Sequence, residues 1–506
     1  MKKITRREAL KLGAIAGGLL VLPIALQRRG YAGDAGSPKP PLFTRQLPIP
    51  PVLSPVRSDA TTDYYEITMR KAKVEILPGL TTEIWGYNGI TPGPTIKQRN
   101  GRQSVVRFIN NSVGTPTSVH LHGMASLPEY DGYAEDLIPV GYYKDYIFPN
   151  NRSATLWYHD HAIHETARNV YMGLAGMYLV TGNIRSSDNV DLDQLLPKGQ
   201  YDVPLIIQDK IFASNGSLIY DDQGQKSLFG DVILVNGAPW PKMEVANRKY
   251  RFRVLNGSNS RSYKLALSTD DDLIVIGTDA SLLATPARVK NMRLGMAERY
   301  EIIIDFSKYP IGTKVVLQNL GLPNNDNYDR TNQIMRFDVV RQEPDDSTIP
   351  STMMPAPFIA ESSAVRTRQF TYERTNGLWV INGKTWNKNR VDANPQLGDV
   401  EIWTLQNKSG GWFHPIHVHL IDQLLLDRNG KAPFAYEKGW KDVFYVGENE
   451  TVRVIGKYGP NTGKYMSHCH NTVHEDHDMM NQFQVGNNGQ DPSSIAPAKP
   501  LPALPL

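Results

Sequence analysis

Twelve histidines and a single cysteine stand in four short clusters: His120 and His122; His159, His161 and His164; His414, His417 and His419; and His468, Cys469, His470, His474 and His477. None falls in the middle third of the 506 residues. Imidazole nitrogens and a thiolate are ligands for transition metals, so clustering of this density points to metal binding. A lone cysteine cannot form an intramolecular disulfide, and flanking histidines favour a ligand over a spare thiol or a small apolar core residue.

Successive side chains along a strand alternate faces, so His120 and His122 share one, as do His159 and His161. His417 and His419 also share a face, whereas His414 has the opposite parity, so one segment is expected to serve two metal centres. His468 and His470 project to one side and Cys469 to the other, which gives an electron path through bonded atoms between two sites. On the cysteine side, His414, Cys469, His474 and a weak thioether at Met479 match the blue-copper recipe of two histidines, a cysteine and a long axial methionine. Met480 is expected to point away. Eight imidazoles remain, from His120, His122, His159, His161, His417, His419, His468 and His470, and these suit several copper ions sharing one cavity. A structural zinc site closes with four ligands and fits poorly. The cluster is expected between the first and last thirds of the chain, with the middle third as a spacer.

The elements that must position these residues recur. Asn88-Gly89, Asn236-Gly237 and Asn382-Gly383 repeat at separations of 148 and 146 residues, each after a strand-like apolar segment and each suited to a tight hairpin. The alternating runs Val105 to Asn110, Arg251 to Asn256 and Glu401 to Asn407 form a second echo. An all-β chain of three related Greek-key β-sandwiches follows. The expected division is residues 56–183, 184–345 and 346–488, the second without copper ligands, after a proline-rich arm at 33–55 and before a Pro/Ala-rich tail at 489–506. The arm is read as wrapping the surface and the tail as a loose terminus.

Residues 1–32 read as a twin-arginine export signal, with Arg6 and Arg7 before the apolar run Leu12 to Leu26 and a small-residue cleavage site at Gly30-Tyr31-Ala32. That run is too short and glycine-rich for a membrane span, and no second stretch suggests an anchor. A periplasmic or secreted protein, exported by the twin-arginine machinery of a bacterium or archaeon, is expected. Residues 1–32 hold seven Lys/Arg against one Glu, so the formal charge of +4 becomes −2 on their removal. Such a chain has no basic footprint for nucleic acid.

His-Leu-His-Gly at 120–123, Trp-Tyr-His-Asp-His at 157–161, His-Pro-Ile-His-Val-His at 414–419 and His-Cys-His-Asn-Thr-Val-His-Glu-Asp-His-Asp-Met-Met at 468–480 resemble the motifs of the multicopper oxidases. The bilirubin oxidases and bacterial spore-coat-type laccases look nearest, through Leu47 to Pro51, Asp131 to Asp136, Met296-Ala297-Glu298-Arg299-Tyr300 and Gly410-Gly411-Trp412. The resemblance spans roughly residues 42–486. It implies three cupredoxin domains and four copper ions. Type 1 copper would take His414, Cys469, His474 and Met479, and type 2 would take His120 and His417. The type 3 pair would take His122, His159, His161, His419, His468 and His470. His164 and His477 are left without metal, as supporting or structural residues.

The activity implied is one-electron oxidation of phenolic, aromatic amine or tetrapyrrole (bilirubin-like) donors, coupled to four-electron reduction of O2 to water. Electrons would enter near Trp412 or His414 and pass by Cys469, while Asp131 and Glu475 relay protons. A cuprous-ion or manganous oxidase of metal tolerance is a second reading, weakened because only Met353-Met354 hints at a methionine-rich insert. A non-catalytic copper-binding cupredoxin scaffold is a third, opposed by the complete ligand set.

Overall fold

The computed structural model describes residues 36–487 and 489–502, so the segment read as an export signal lies outside the described residues. Strands dominate, and their side chains alternate: Gln103–Asn110 reads exposed, buried, half-buried, buried along its length, as a sheet with one dry face requires. In the first third, a six-stranded sheet containing Thr62–Val74, Gln103–Asn110 and Tyr142–Phe148 packs on a four-stranded sheet. The smaller sheet is ordered Gly93–Arg99, Ala175–Thr181, Ala154–Asp160, Val119–His122. The middle third has a seven- and a five-stranded sheet, and the last third a five- and a four-stranded one. Each pair encloses its own apolar core. The chain is therefore all-β, built of three cupredoxin-like sandwiches.

The internal repeat is written into the register. Thr62–Val74 runs parallel to Gln103–Asn110, Asp202–Lys210 to Lys249–Asn256, and Arg366–Thr375 to Val400–Asn407. All three Asn-Gly pairs sit in the left-handed region, with φ of 56° and 73°, 49° and 82°, and 52° and 71°, as two-residue hairpin turns demand. The last residue of each echoed strand is an asparagine that staples the loop beyond it. The amide of Asn110 donates to the carbonyls of Thr115 and Ile138, that of Asn256 to Arg261 and Leu294, and that of Asn407 to Trp412 and Gly447. Two of these loops lead directly into His120 and His414.

Ala154–Asp160 is buried along its whole length, because its outer face meets the other sandwiches. Trp157, Ala175 and Met177 pack there with Ile206, Leu255 and Ala297 of the middle third and Val443 of the last. This small shared core lies beside the histidines, since the Trp157 ring stacks on His159 at 4.0 Å.

Over its described residues the arm bridges sandwiches, with Gln46 paired to Lys242 and Val52 to Thr95. Among the described residues, through 502, the expectation of a loose C-terminus is corrected. Pro492–Ile495 forms a helical turn and Lys499–Pro500 adds a strand to Tyr142–Phe148, because that strand otherwise exposes an unpaired sheet edge. Ending the chain at Gln490 is expected to lower the thermal midpoint by roughly 2–4 °C for each kcal/mol lost, with metal binding unchanged. An unaltered midpoint would show that the docked tail contributes nothing.

Candidate metal centre

Four strands deliver the ligands. Val119–His122 pairs with Ala154–Asp160 so that His120 faces His159 across the ladder, and His414–Val418 pairs with Gly463–Cys469 so that His417 faces His468. The eight imidazoles meet in one buried cavity, each at most 1% exposed. They fall into sets whose nitrogens lie within metal-binding reach of one another: His122, His159 and His470; His161, His419 and His468; and His120 and His417, together with His122. Parity brings both His468 and His470 to this cavity, as expected, but delivers them to different sets.

Most of the outward nitrogens are held, those of His161 and His470 excepted, and the inward ones converge. His417 Nδ1 donates to the Asp442 carbonyl at 2.8 Å, His159 Nδ1 to that of Asp160 at 2.8 Å, and His120 Nδ1 to that of Asp131. His419 Nδ1 donates to the Asp131 carboxylate at 2.7 Å, while Glu475 stands 3.4 Å from His161 Nδ1 and 3.1 Å from His468 Nδ1. Such partners set the tautomer and leave a lone pair pointing inward. The Nε2 atoms of His161 and His419 each lie 3.2 Å from His468 Nε2, and those of His120 and His417 are 3.4 Å apart. His122 Nδ1, His159 Nε2 and both nitrogens of His470 have no hydrogen-bond partner. Converging lone pairs repel, and buried unpaired nitrogens cost about 1–3 kcal/mol each. Cations among them remove both penalties, so the residues fit metal.

Burial pushes His120, His122, His159, His417, His419 and His470 well below the ordinary imidazole range and His161 down to about 4. Neutral imidazoles are the ligating form. Burial likewise lifts Asp131 well above the usual carboxylate range. For Glu475 burial raises and the imidazoles of His468 and His161 lower, leaving it below its ordinary value.

A second centre lies on the other side of Cys469. Its Sγ is 3.2 Å from His414 Nδ1 and 3.6 Å from His474 Nδ1, and the two nitrogens are 3.3 Å apart. Met479 shares the apolar core of Cys469 while Met480 belongs to a different one beside Tyr133, which separates the two methionines. The outer nitrogens are tied off, His414 Nε2 to Ser409 Oγ at 2.6 Å and His474 Nε2 to the Lys226 carbonyl at 2.8 Å. Trp379 stacks on His474 at 3.7 Å, and half-buried Trp412 packs edge-on against both. Burial raises the Cys469 thiol well above its usual value; a bound cation reverses that by holding the thiolate.

His164 and His477 stay outside both centres, His164 bonded to the Asp476 carbonyl and His477 to Asp222. Sequence reasoning missed two contributions of the middle sandwich. The segment around Lys226 covers His474, and Trp379 Nε1 donates to the Gln225 carbonyl at 2.7 Å. Arg299 reaches Asp442, whose carboxylate accepts from His122 Nε2 at 3.0 Å. The middle third therefore does more than hold the others apart.

Comparison with known proteins points to the same metal chemistry. Family profiles described as multicopper oxidase match residues 68–184, 202–334 and 354–489. A bilirubin oxidase of Albifimbria verrucaria is 42% identical over 479 residues, covering 89% of this chain and 82% of its own. A laccase of Bacillus subtilis is 35% identical, covering 88% of this chain and 98% of its own. Among solved structures, a laccase from Pediococcus acidilactici superposes with a TM-score of 0.80 at 31% identity, covering 89% and 95% of the two chains.

Proposed function

The chain belongs to the multicopper oxidase family, and from that premise we propose that it oxidises phenolic, aromatic amine or bilirubin-like donors one electron at a time. It is an oxidoreductase with four copper ions as cofactors and O2 as electron acceptor. The cuprous-ion or manganous reading is not favoured. We assign His414, Cys469, His474 and Met479 to type 1 copper and His120 and His417 to type 2. The type 3 pair takes His122, His159 and His470 on one side and His161, His419 and His468 on the other. When bound, copper supplies the redox capacity to gather single electrons and deliver four to O2.

The observation that carries this reading is the placement of residues 468–470. Cys469 faces His414 and His474, while His468 and His470 each enter a different three-histidine set. The backbone of three consecutive residues thus links the donor side to both halves of the cavity. Trp412, packed on Trp379 and His474, and His414 are the residues proposed to meet the donor. Asp131 accepts from His419 Nδ1, and Glu475, 3.1 Å from His468 Nδ1 and 3.4 Å from His161 Nδ1, stands beside the cavity, so these two carboxylates are the proposed proton relays. The proposed limits of the three sandwiches are residues 56–183, 184–345 and 346–488. Export through the twin-arginine route rests on Arg6, Arg7 and the apolar run after them.

Oxygen uptake measured side by side with a phenolic dye, bilirubin and Cu(I) tests the reading. Turnover with the organic donors is expected to exceed that with Cu(I); the reverse order would restore the metal-oxidase alternative.

A further inference from the structure

Arg299, from the run Met296-Ala297-Glu298-Arg299-Tyr300, is wholly buried in the middle sandwich, and all five of its N–H groups are committed. Its Nη1 and Nη2 grip the two carboxylate oxygens of Asp442, each at 2.6 Å. The remaining three donate to backbone carbonyls of Thr155, Ala297 and Asp279 at 3.0, 3.1 and 3.0 Å. A planar fork that saturates its donors in this way has one orientation.

Asp442 in turn touches two histidines of the cavity through different atoms. Its Oδ1 lies 3.0 Å from His122 Nε2, and its backbone carbonyl accepts from His417 Nδ1 at 2.8 Å. Both contacts place the proton on the outer nitrogen and leave the inner one bare; His122 Nδ1 is one of the orphaned atoms. Asp279 locks the pair from behind. Its carboxylate takes the Arg299 backbone N–H at 2.8 Å, the Lys441 ammonium at 2.9 Å and the N–H groups of Asp442 and Val443 at 3.3 and 3.2 Å. The sequence also leaves room for the fork. A Cβ at Gly123 would stand 2.6 Å from Arg299 Nη2 and 2.8 Å from Asp442 Oδ2, and φ there is +91°.

We infer that Arg299 is a positioning residue for the multinuclear copper site: through Asp442 it fixes the tautomer and angle of His122 and His417, one histidine from each of two metal positions. A sandwich that offers no ligand thereby sets the geometry of a site built by its two neighbours. The inference rests on the ligand assignment proposed above.

The test uses the copper-loaded full chain and reads metal affinity rather than turnover. Copper remaining on the protein is titrated against a competing chelator, with the blue colour as the separate report on the Cys469 centre. In R299Q and D442N the affinity of the multinuclear site is expected to fall by about 10–100-fold, as loss of the groups behind a ligating histidine does, with the blue colour intact. R299K, which returns the charge without the fork, recovers only part. The double variant loses about as much as one single variant, because the two residues act as a unit.

R253Q is the structural control. Arg253 is equally buried and pairs with Asp202 and Glu301, with no contact to the histidines, so it is expected to lower stability without loosening copper. Parent-like affinity in both R299Q and D442N, or equal loosening in R253Q, would overturn the inference. If R299Q fails to fold, the near-isosteric D442N decides alone. A parent protein that does not take up four copper ions refutes the ligand assignment itself, a separate outcome.

Discussion

Cys469→Ser is expected to give a colourless protein that no longer consumes O2 with any organic donor. Cys469 is the single cysteine of the chain, its thiolate is the strongly electron-donating ligand grouped with His414 and His474, and blue-copper character depends on it. A serine hydroxyl fills the same space but stays protonated and binds a cupric ion weakly. Both roles of residue 469 are then lost, the metal at the donor side and the bonded route to His468 and His470. The eight-imidazole cavity is not altered, so copper content is expected to fall by one ion per chain rather than to zero. Absorption spectra and elemental analysis on one preparation check this. Retained blue colour would sink the assignment of Cys469.

Glu475→Gln is expected to slow O2 reduction by about 10²–10⁴-fold, the usual contribution of a positioned proton donor or acceptor, while reduction of the blue centre by donor stays fast. Glu475 faces His161 and His468 and makes no contact with His414, so its influence falls on the oxygen side. Glutamine preserves shape and can still accept a hydrogen bond, but it cannot carry a proton. Stopped-flow spectroscopy separates bleaching of the blue colour under anaerobic donor from its return on mixing with O2. Equal slowing of both phases would reject the relay.

The gathering of the histidines and Cys469 into two clusters was legible because it rests on local chemistry. Two-residue parity along a strand is enough to place Cys469 opposite His468 and His470, and His414 opposite His417. The three-sandwich fold was legible for a similar reason, since the Asn-Gly turns at 88, 236 and 382 demand left-handed backbone wherever they occur. The asparagine staples at 110, 256 and 407 were present in the same echo, and their common place at the end of each strand was the signal that could have revealed them. The division of six histidines into two sets needed the packing of two separate sheets whose strands lie more than 250 residues apart. Arg299 and Asp442, separated by 143 residues, carry no periodicity that links them. The docking of Lys499–Pro500 depends on an open edge at Tyr142–Phe148, which only the assembled sheet displays.

The carbonyl of Lys226 over His474 bears on what the enzyme can accept. His474 is fully buried, yet the residues that close over it, Gln225 and Lys226, are exposed, so a single layer of backbone separates the proposed type 1 ligand from solvent. A donor resting on that layer never needs to bond to the metal. Its electron crosses by tunnelling, which falls off with distance and responds to driving force but is indifferent to the functional groups of the molecule that supplies it. On the proposed function, a thin cover would admit donors of varied chemistry, and selectivity would come from the outline of the surface on which the donor rests.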